Sequence, residues 1–277
     1  MQIAISGAGI AGSTLAYWLR RSGHRPTLIE RAPHLRTGGY VVDFWGVGYQ
    51  VAERMGIEPA VRRAGYLVQE VRLVDRRGRL AARFPVDVFR RIAQDRYVSL
   101  PRGDLAAAIY HAIEGDVETI FGDHIIALDE QENGVRVTFA TGAARDFDLV
   151  VGADGLHSAV RAFVFGPEGN FEKRLGYVVA AVDVVGYRPR DALVLVSHTT
   201  PGRQAARFAL RDDRTLILFV FAAALTPGPE PRSLSERKAL LHRVFDGAGW
   251  ECSQLLRATD GVAEFYFDRV SQIRMPG

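Results

Sequence analysis

Six residues near the start of the chain, Gly7-Ala8-Gly9-Ile10-Ala11-Gly12, set glycines at a spacing that lets backbone receive a pyrophosphate. The first glycine allows a tight turn, the second removes a side chain that would hold a phosphate away, and the third lets a helix pack closely on a strand. A helix starting there offers free N–H groups and the positive end of its dipole to the anion. Glu30, eighteen positions after Gly12, can accept both hydroxyls of an adenosine ribose. Its charge repels a 2′-phosphate, so NAD(H) or FAD suits the site better than NADP(H). A second group is Asp154-Gly155, followed by Leu156-His157-Ser158-Ala159-Val160-Arg161; an Asp ending another parallel strand can lie beside the same dinucleotide. The third is Arg102, in Leu100-Pro101-Arg102-Gly103-Asp104-Leu105, whose guanidinium can reach a phosphate from just before a helix. Each group also has a plainer reading, respectively a glycine turn beside a surface Glu, a capped helix start and a solvated loop arginine.

Other chemistries find little support. The seven histidines (His24, His34, His111, His124, His157, His198, His242) show no metal-ligand spacing, and no G-x-S-x-G nucleophile turn occurs. Cys252 is the single cysteine, which excludes an intramolecular disulfide and fits a reducing compartment. A formal net charge of +3, with only Lys173 and Lys238 beside many arginines, gives no surplus to drive nucleic-acid or membrane binding. The amino terminus lacks a signal-peptide pattern, and the longest apolar run, residues 216–225, is too short to span a bilayer. A cytoplasmic protein with a small-molecule partner is expected. Trp18, Trp45 and Trp250 are read as core residues before pocket residues.

The elements that must hold these groups follow from periodicity. Residues 2–6 read as a buried strand, 10–21 as a helix and 27–30 as a strand, a βαβ unit opening at residue 1. A basic loop at 31–39 leads to a strand at 40–43 and a helix at 47–55 ended by Gly56. Residues 68–84 read as a hairpin around Asp75-Arg76-Arg77-Gly78, and 104–112 as a helix. Strands follow at 118–121, 125–128 and 135–139, with Asn133-Gly134 as the turn. The apolar strand 149–153 runs into Asp154-Gly155, and a helix starts near Ser158. Beyond Gly166-Pro167-Glu168-Gly169 come longer strands at 177–185, 192–198, 205–210 and 215–224, a helix at 233–245 capped by Ser233, and a strand at 264–267.

With Gly7 to Gly12 and Glu30-Arg31, Arg102-x-x-Leu105, and Asp154-Gly155-x-x-Ser158-x-x-Arg161 in this order, the chain resembles the single-component FAD-dependent aromatic hydroxylases of the para-hydroxybenzoate hydroxylase fold. The segment Gly38-Gly39-Tyr40-Val41-Val42-Asp43 is similar to the branch containing tetracycline-inactivating and polyketide-modifying monooxygenases. The resemblance implies an α/β fold: a Rossmann-like FAD-binding domain of the GR2 flavoprotein type with an inserted β-sheet substrate domain. It divides the chain into residues 1–170, with a β-rich segment around 66–100 contributing to the substrate side, and residues 171–277. It further implies FAD as cofactor, NAD(P)H as reductant, and hydroxylation of an aromatic or polyketide-like small molecule by O₂ through a flavin C4a-hydroperoxide. Carried over by position, Gly7, Gly9, Ala11 and Gly12 would meet the ADP part of FAD, Glu30 its ribose and Arg31 the adenosine side. Arg102 would meet the phosphate or ribityl region, backbone near Ile125 the adenine, and Asp154 and Gly155 the pyrophosphate. Asp43 is a candidate near the flavin edge, and no residue is assigned a catalytic role. The family's later Gly-Asp segment is missing, so a chain truncated at its C-terminus is expected. Alternatives are a nicotinamide dehydrogenase, a related-fold reductase, halogenase or epoxidase, and an inactive FAD-binding fragment.

Overall fold

The computed structural model describes residues 1–35 and 39–275. Gly38 of the segment compared above, and the final Pro276-Gly277, lie outside the described residues. The chain begins with β1 (Gln2–Ser6), α1 (Ile10–Arg21) and β2 (Arg25–Glu30), then β3 (Val41–Trp45), α2 (Gly46–Met55) and α3 (Glu58–Ala64). The hairpin β4 (Glu70–Val74) and β5 (Leu80–Pro85) is followed by α4 (Asp87–Ile92), β6 (Tyr97–Pro101) and α5 (Arg102–His111). Strands β7 (Glu118–Phe121), β8 (Ile125–Gln131), β9 (Gly134–Phe139), β10 (Ala144–Phe147) and β11 (Leu149–Gly152) lead to α6 (Ala159–Phe165). The chain then forms β12 (Glu172–Val185), β13 (Val194–Thr200), β14 (Arg203–Ala209), β15 (Arg214–Ala222), α7 (Leu234–Phe245), α8 (Cys252–Asp260) and β16 (Tyr266–Ile273).

Four parallel strands in the order β11-β1-β2-β7 form the first sheet. Ile3, Ala4 and Ile5 of β1 are buried almost completely, as a continuous apolar run in a parallel sheet requires. The chain leaves β1 for β2 on one side and returns to β11 on the other, so strand order reverses beside β1. A reversal of this kind opens a crevice at the carboxyl ends of the strands. Ser6 is in register with Ile29 and with Gly152, which brings the three loops after β1, β2 and β11 to one edge.

A seven-stranded sheet, in the order β16-β12-β15-β14-β13-β4-β5, supplies the second layer. The β4–β5 hairpin joins it through a parallel pairing of β4 with β13, although more than a hundred residues separate the two in sequence. Period-two alternation divides the faces of this sheet. Ile217, Phe219 and Phe221 of β15, with Val178, Ala180 and Val182 of β12, pack beneath α7 and α8. Leu216, Ala181 and Phe208 face the other way, in a cluster with Val68 and Leu210. A short ribbon of β3 and β6 stands between the two large sheets, with Phe44, Val98 and Leu100 turned into a helical cluster.

Most of the expected elements occur, with displaced ends. The strand expected at 40–43 begins at Val41 and runs to Trp45, and that expected at 264–267 is Tyr266–Ile273. The strand expected at 177–185 starts five residues earlier, because Glu172 to Arg174 pair with β16 across a bulge. Ala223–Leu225, expected within a strand, turns as a 3₁₀ helix. Helices α3, α4 and α8 and strands β6 and β10 went unread. Of the three tryptophans, Trp250 packs against the cluster under α7 and α8, whereas Trp18 and Trp45 remain partly exposed. No helix among the described residues is long and apolar enough to cross a membrane.

Beneath the large sheet sits a buried charge network. The Arg207 guanidinium, with a side chain only 5% exposed, binds both carboxylate oxygens of Glu251 at 2.7 and 3.1 Å and also meets Asp191 at 2.9 Å. Tyr187 donates its hydroxyl to Glu251 as well, at 2.9 Å. Removing one charge from a buried pair leaves the other uncompensated. Glu251→Gln is therefore expected to lower unfolding free energy by about 3 kcal/mol, the lower end of the usual loss because Asp191 remains. Urea denaturation followed by circular dichroism measures it.

Candidate functional site

The reversal beside β1 opens into a cleft of about 1680 Å³. That exceeds the roughly 300–1,000 Å³ of an ordinary small-ligand pocket and leaves room for a dinucleotide with a second molecule. One wall is the carboxyl edge of the parallel sheet, with Gly7, Gly9, Glu30, Arg31, Ile125, Asp154 and Gly155. The start of α5 contributes Arg102, Gly103 and Asp104. The opposite wall is the free face of the seven-stranded sheet, including Val179, Ala181, Phe208, Leu216 and Leu218. Eight of the ten residues expected at a cofactor site line this cleft. Ala11 and Gly12 do not: Ala11 is exposed on the first turn of α1, and Gly12 is buried beneath it.

The three glycines of the first loop do different work. Gly7 adopts φ +102°, and a β-carbon there would lie 2.6 Å from the carbonyl oxygen of Ala153. A β-carbon on Gly12 would lie 1.9 Å from the carbonyl oxygen of Gly7, so only glycine lets α1 settle on the turn after β1. A β-carbon on Gly9 would meet nothing within 4 Å. Gly9 is the N-cap of α1, no side chain caps that helix, and its first turn carries no acidic residue. An uncapped helix start with an open face toward the cleft fits an approaching phosphate.

Glu30 carries bonds that its spacing in the sequence did not reveal. Its two carboxylate oxygens accept the backbone N–H groups of Ala8, at 3.1 Å, and Ala32, at 3.0 Å. These bonds tie the glycine loop to the end of β2 and fix the carboxylate at the cleft wall. Asp154 also braces the scaffold. Its Oδ2 accepts from Ser6 Oγ at 3.2 Å and from the N–H groups of Ala159 and Val160 at the start of α6, at 2.8 and 3.3 Å. Its Oδ1 is buried without a hydrogen-bond partner among the described residues, an acceptor open to a group from outside the protein. Ser158 caps α6 by accepting from the N–H of Arg161, as the plainer reading of that segment expects. The side chain of Arg102 is exposed, while its backbone N–H donates to Tyr40 at 3.0 Å.

Several polar groups in the cleft escaped the sequence reading. Tyr97 and Ser99 of β6 both bond to Asp43. Arg214 pairs with Asp183 on the sheet face. Burial raises the carboxyl of Asp104 above the ordinary carboxylate range, and the charge of Asp183 adds to this, while nearby Arg214 and Arg211 oppose it. β6 is buried in all five residues and so offered no alternation to mark it, and the Asp183–Arg214 pair depends on strand register. Among the described residues no cluster of three or more histidine, cysteine or acidic side chains could hold a metal ion.

Comparison with known proteins gives one consistent result. A family model described as an FAD binding domain matches residues 1–274. An uncharacterised protein of Mycobacterium tuberculosis is 36% identical over 99% of this chain and 73% of its own length. A flavin-dependent monooxygenase from an unknown prokaryotic organism is 31% identical over 99% of this chain and 70% of its own. The crystal structure of tetracycline destructase Tet(51) superposes with a TM-score of 0.84 at 31% identity, covering 99% of this chain and 70% of that one.

Two predictions follow from the geometry. Gly12→Ala should destabilise the protein by about 2–3 kcal/mol through overpacking, whereas Gly9→Ala should leave stability within about 0.5 kcal/mol and act only on dinucleotide affinity; paired urea and FAD titrations separate them. For Asp104 the raised carboxyl pKa means that its effect on stability is most favourable below the ordinary carboxylate range and is lost as pH rises through the folded-state value. Asp104→Asn should therefore raise the urea midpoint at neutral pH and leave it nearly unchanged in acid.

Proposed function

The chain belongs to the FAD-binding-domain family, and from that membership we propose that its cleft takes FAD along the parallel-sheet wall and an aromatic or polyketide-like small molecule against the β-sheet wall. Its relatives make it an FAD-dependent oxidoreductase of the flavin-dependent monooxygenase kind. The observation that carries the reading is a convergence. The Gly7–Gly9 turn, the fixed carboxylate of Glu30 and the buried, unpartnered oxygen of Asp154 meet at one edge, facing an apolar sheet across a single cleft.

In this reading the backbone of Gly7 and Gly9 and the start of α1 receive the pyrophosphate, and Gly12 keeps α1 close enough to do so. Glu30 accepts from the adenosine ribose, Arg31 covers the adenosine side, and backbone at Ile125 borders the adenine. Arg102 reaches the phosphate or ribityl region from the start of α5, and Asp154 with Gly155 closes the pyrophosphate side. Bound FAD, reduced by NAD(P)H, supplies the activation of O₂ and the transfer of one oxygen atom. The protein's share is orientation and a water-poor pocket. Val179, Ala181, Phe208, Leu216 and Leu218 present an apolar wall that keeps water from the reacting groups. Tetracycline destructase Tet(51) is named for tetracycline, and its likeness to this chain supports a substrate of that kind. The cytoplasm, where reduced nicotinamide and a free Cys252 are both stable, is the proposed location.

The test is a visible spectrum of the purified chain after incubation with FAD and desalting. Flavin absorbance at close to one FAD per chain is the expected result, followed by oxidation of NADH or NADPH that candidate phenols stimulate. A colourless protein that cannot be reconstituted overturns the reading.

A further inference from the structure

The apolar row that crosses the seven-stranded sheet on its cleft face does not end at the cleft. Leu216 of β15 stands opposite Phe208 of β14, Phe208 opposite Leu195 of β13, Leu195 beside Val71 of β4, and Val71 opposite Phe84 of β5. The first four line the cleft, whereas Phe84, on the edge strand, is 55% exposed. The chain then enters α4, none of whose six residues is buried although it carries Val88, Phe89 and Ile92. Ile92 lies one turn after Val88, so the two share a helix face, and they are 74% and 50% exposed. Phe89 meets Trp45 edge to face, with ring centres 5.5 Å apart, which brings the exposed Trp45 and Val47 into the same patch. Single apolar residues at a surface are ordinary, but six large ones gathered on a sheet edge and the helix after it mark a contact surface.

Arginines accompany this patch. Between residues 75 and 96 the chain holds seven arginines and three aspartates, an excess of four where the whole chain has a formal net charge of only +3. Asp75, Asp95 and Asp87 pair with Arg79, Arg90 and Arg91, and Arg96 pairs with Glu53. Among the described residues Arg76, Arg77 and Arg83 have no such acidic partner. The modest overall charge thus hides a local one.

A second copy of this chain suits the surface poorly. β5 is an open edge, yet it contains Arg83 and Pro85, which oppose edge-to-edge pairing, and a twofold contact would set arginines against arginines. A nucleic acid would answer the charge but leave the aromatic and aliphatic side chains in water. Protruding apolar side chains beside arginines match a surface that is anionic outside and apolar beneath. A tryptophan at the rim suits the boundary between those two layers.

We propose that the edge strand β5, α4 and the start of α2 form a docking surface for an anionic lipid bilayer. Phe84, Val88 and Ile92 enter the acyl boundary, Trp45 settles at headgroup level, and Arg83, Arg90 and Arg91 meet lipid phosphates. Docked in this way the protein lies on the bilayer without crossing it, and the cleft, bordered by Val86 and Tyr97, opens beside the headgroups. The docking does not depend on whether the cleft holds FAD.

The experiment sediments the chain with vesicles of phosphatidylcholine alone and with vesicles in which about a third of the lipid is phosphatidylglycerol. Wild type should bind the anionic vesicles at least about tenfold more tightly, and raising sodium chloride from about 0.05 M to about 0.5 M should remove most of that preference. Ile92→Asp and Phe84→Ser should each weaken binding about tenfold. Arg83→Gln should weaken it about fivefold, and only on the anionic vesicles. All three positions are exposed, so each variant should keep the wild-type circular dichroism spectrum. Dibrominated lipid should quench tryptophan emission of the wild type and quench that of Trp45→Phe far less. Equal affinity for both vesicles, no sedimentation with either, or binding unchanged in all three variants overturns the proposal. A dimer in sedimentation velocity that Ile92→Asp dissolves also overturns it, by assigning the patch to a second copy. Capture of a DNA duplex as tight as that of anionic vesicles does the same, by assigning the charge to polyanions at large.

Discussion

The carbonyl oxygen of Gly7 occupies the space that any side chain at residue 12 would need. That close approach seats α1 on the turn after β1, and much of the remaining geometry depends on it. Because the helix starts so near the strand, its unpaired N–H groups face the carboxyl edge of the sheet and not bulk solvent. Glu30 reinforces the arrangement from the neighbouring strand by accepting the N–H of Ala8, and Asp154 does so from the other side through Ser6. Two carboxylates therefore brace the loop that is proposed to receive a dianion. This makes sense only because each already accepts N–H or O–H bonds, so their charge is partly answered before any ligand arrives.

The second wall solves a different problem. A sheet whose two faces are both apolar needs a cover on each, and α7 and α8 cover one of them with Phe245, Leu241 and Leu255. Among the described residues the other face, with Ala181, Phe208 and Leu216, borders the cleft and not a helix. The buried Arg207–Glu251 pair lies on the covered side, where its hydrogen bonds are complete, while Asp183 and Arg214 carry charge on the cleft side. The sheet thus separates a structural charge network from one available to a ligand.

The sequence made the parallel βαβ unit plain. Its strand and helix limits at residues 2–6 and 10–21 coincide with the structure, since glycine spacing and apolar runs there carry local information. Elements that rely on distant partners were harder to read. β6 is buried in all five residues and gave no alternation, and the first residues of β12 are polar and pair with β16 nearly a hundred positions away. The same distinction holds at the site. Gly7, Gly9, Glu30 and Asp154 belong to motifs with fixed spacing, whereas the contact of Asp43 with Tyr97 and Ser99 arises from strand register across more than fifty residues. Glu30 and Asp154 both line the cleft, yet their bonds to backbone were not foreseen, because spacing identifies a carboxylate without showing which N–H groups lie within reach.

The loops after β1, β2 and β11 and the start of α5 are proposed to act together as one FAD-binding wall. Hydrogen–deuterium exchange of the chain with and without saturating FAD tests it most directly. A single wall requires simultaneous protection of amides at residues 7–12, 30–32, 102–105 and 153–156, with little change beneath α7 and α8. Protection confined to only one of these segments, or none at saturating FAD, would contradict it.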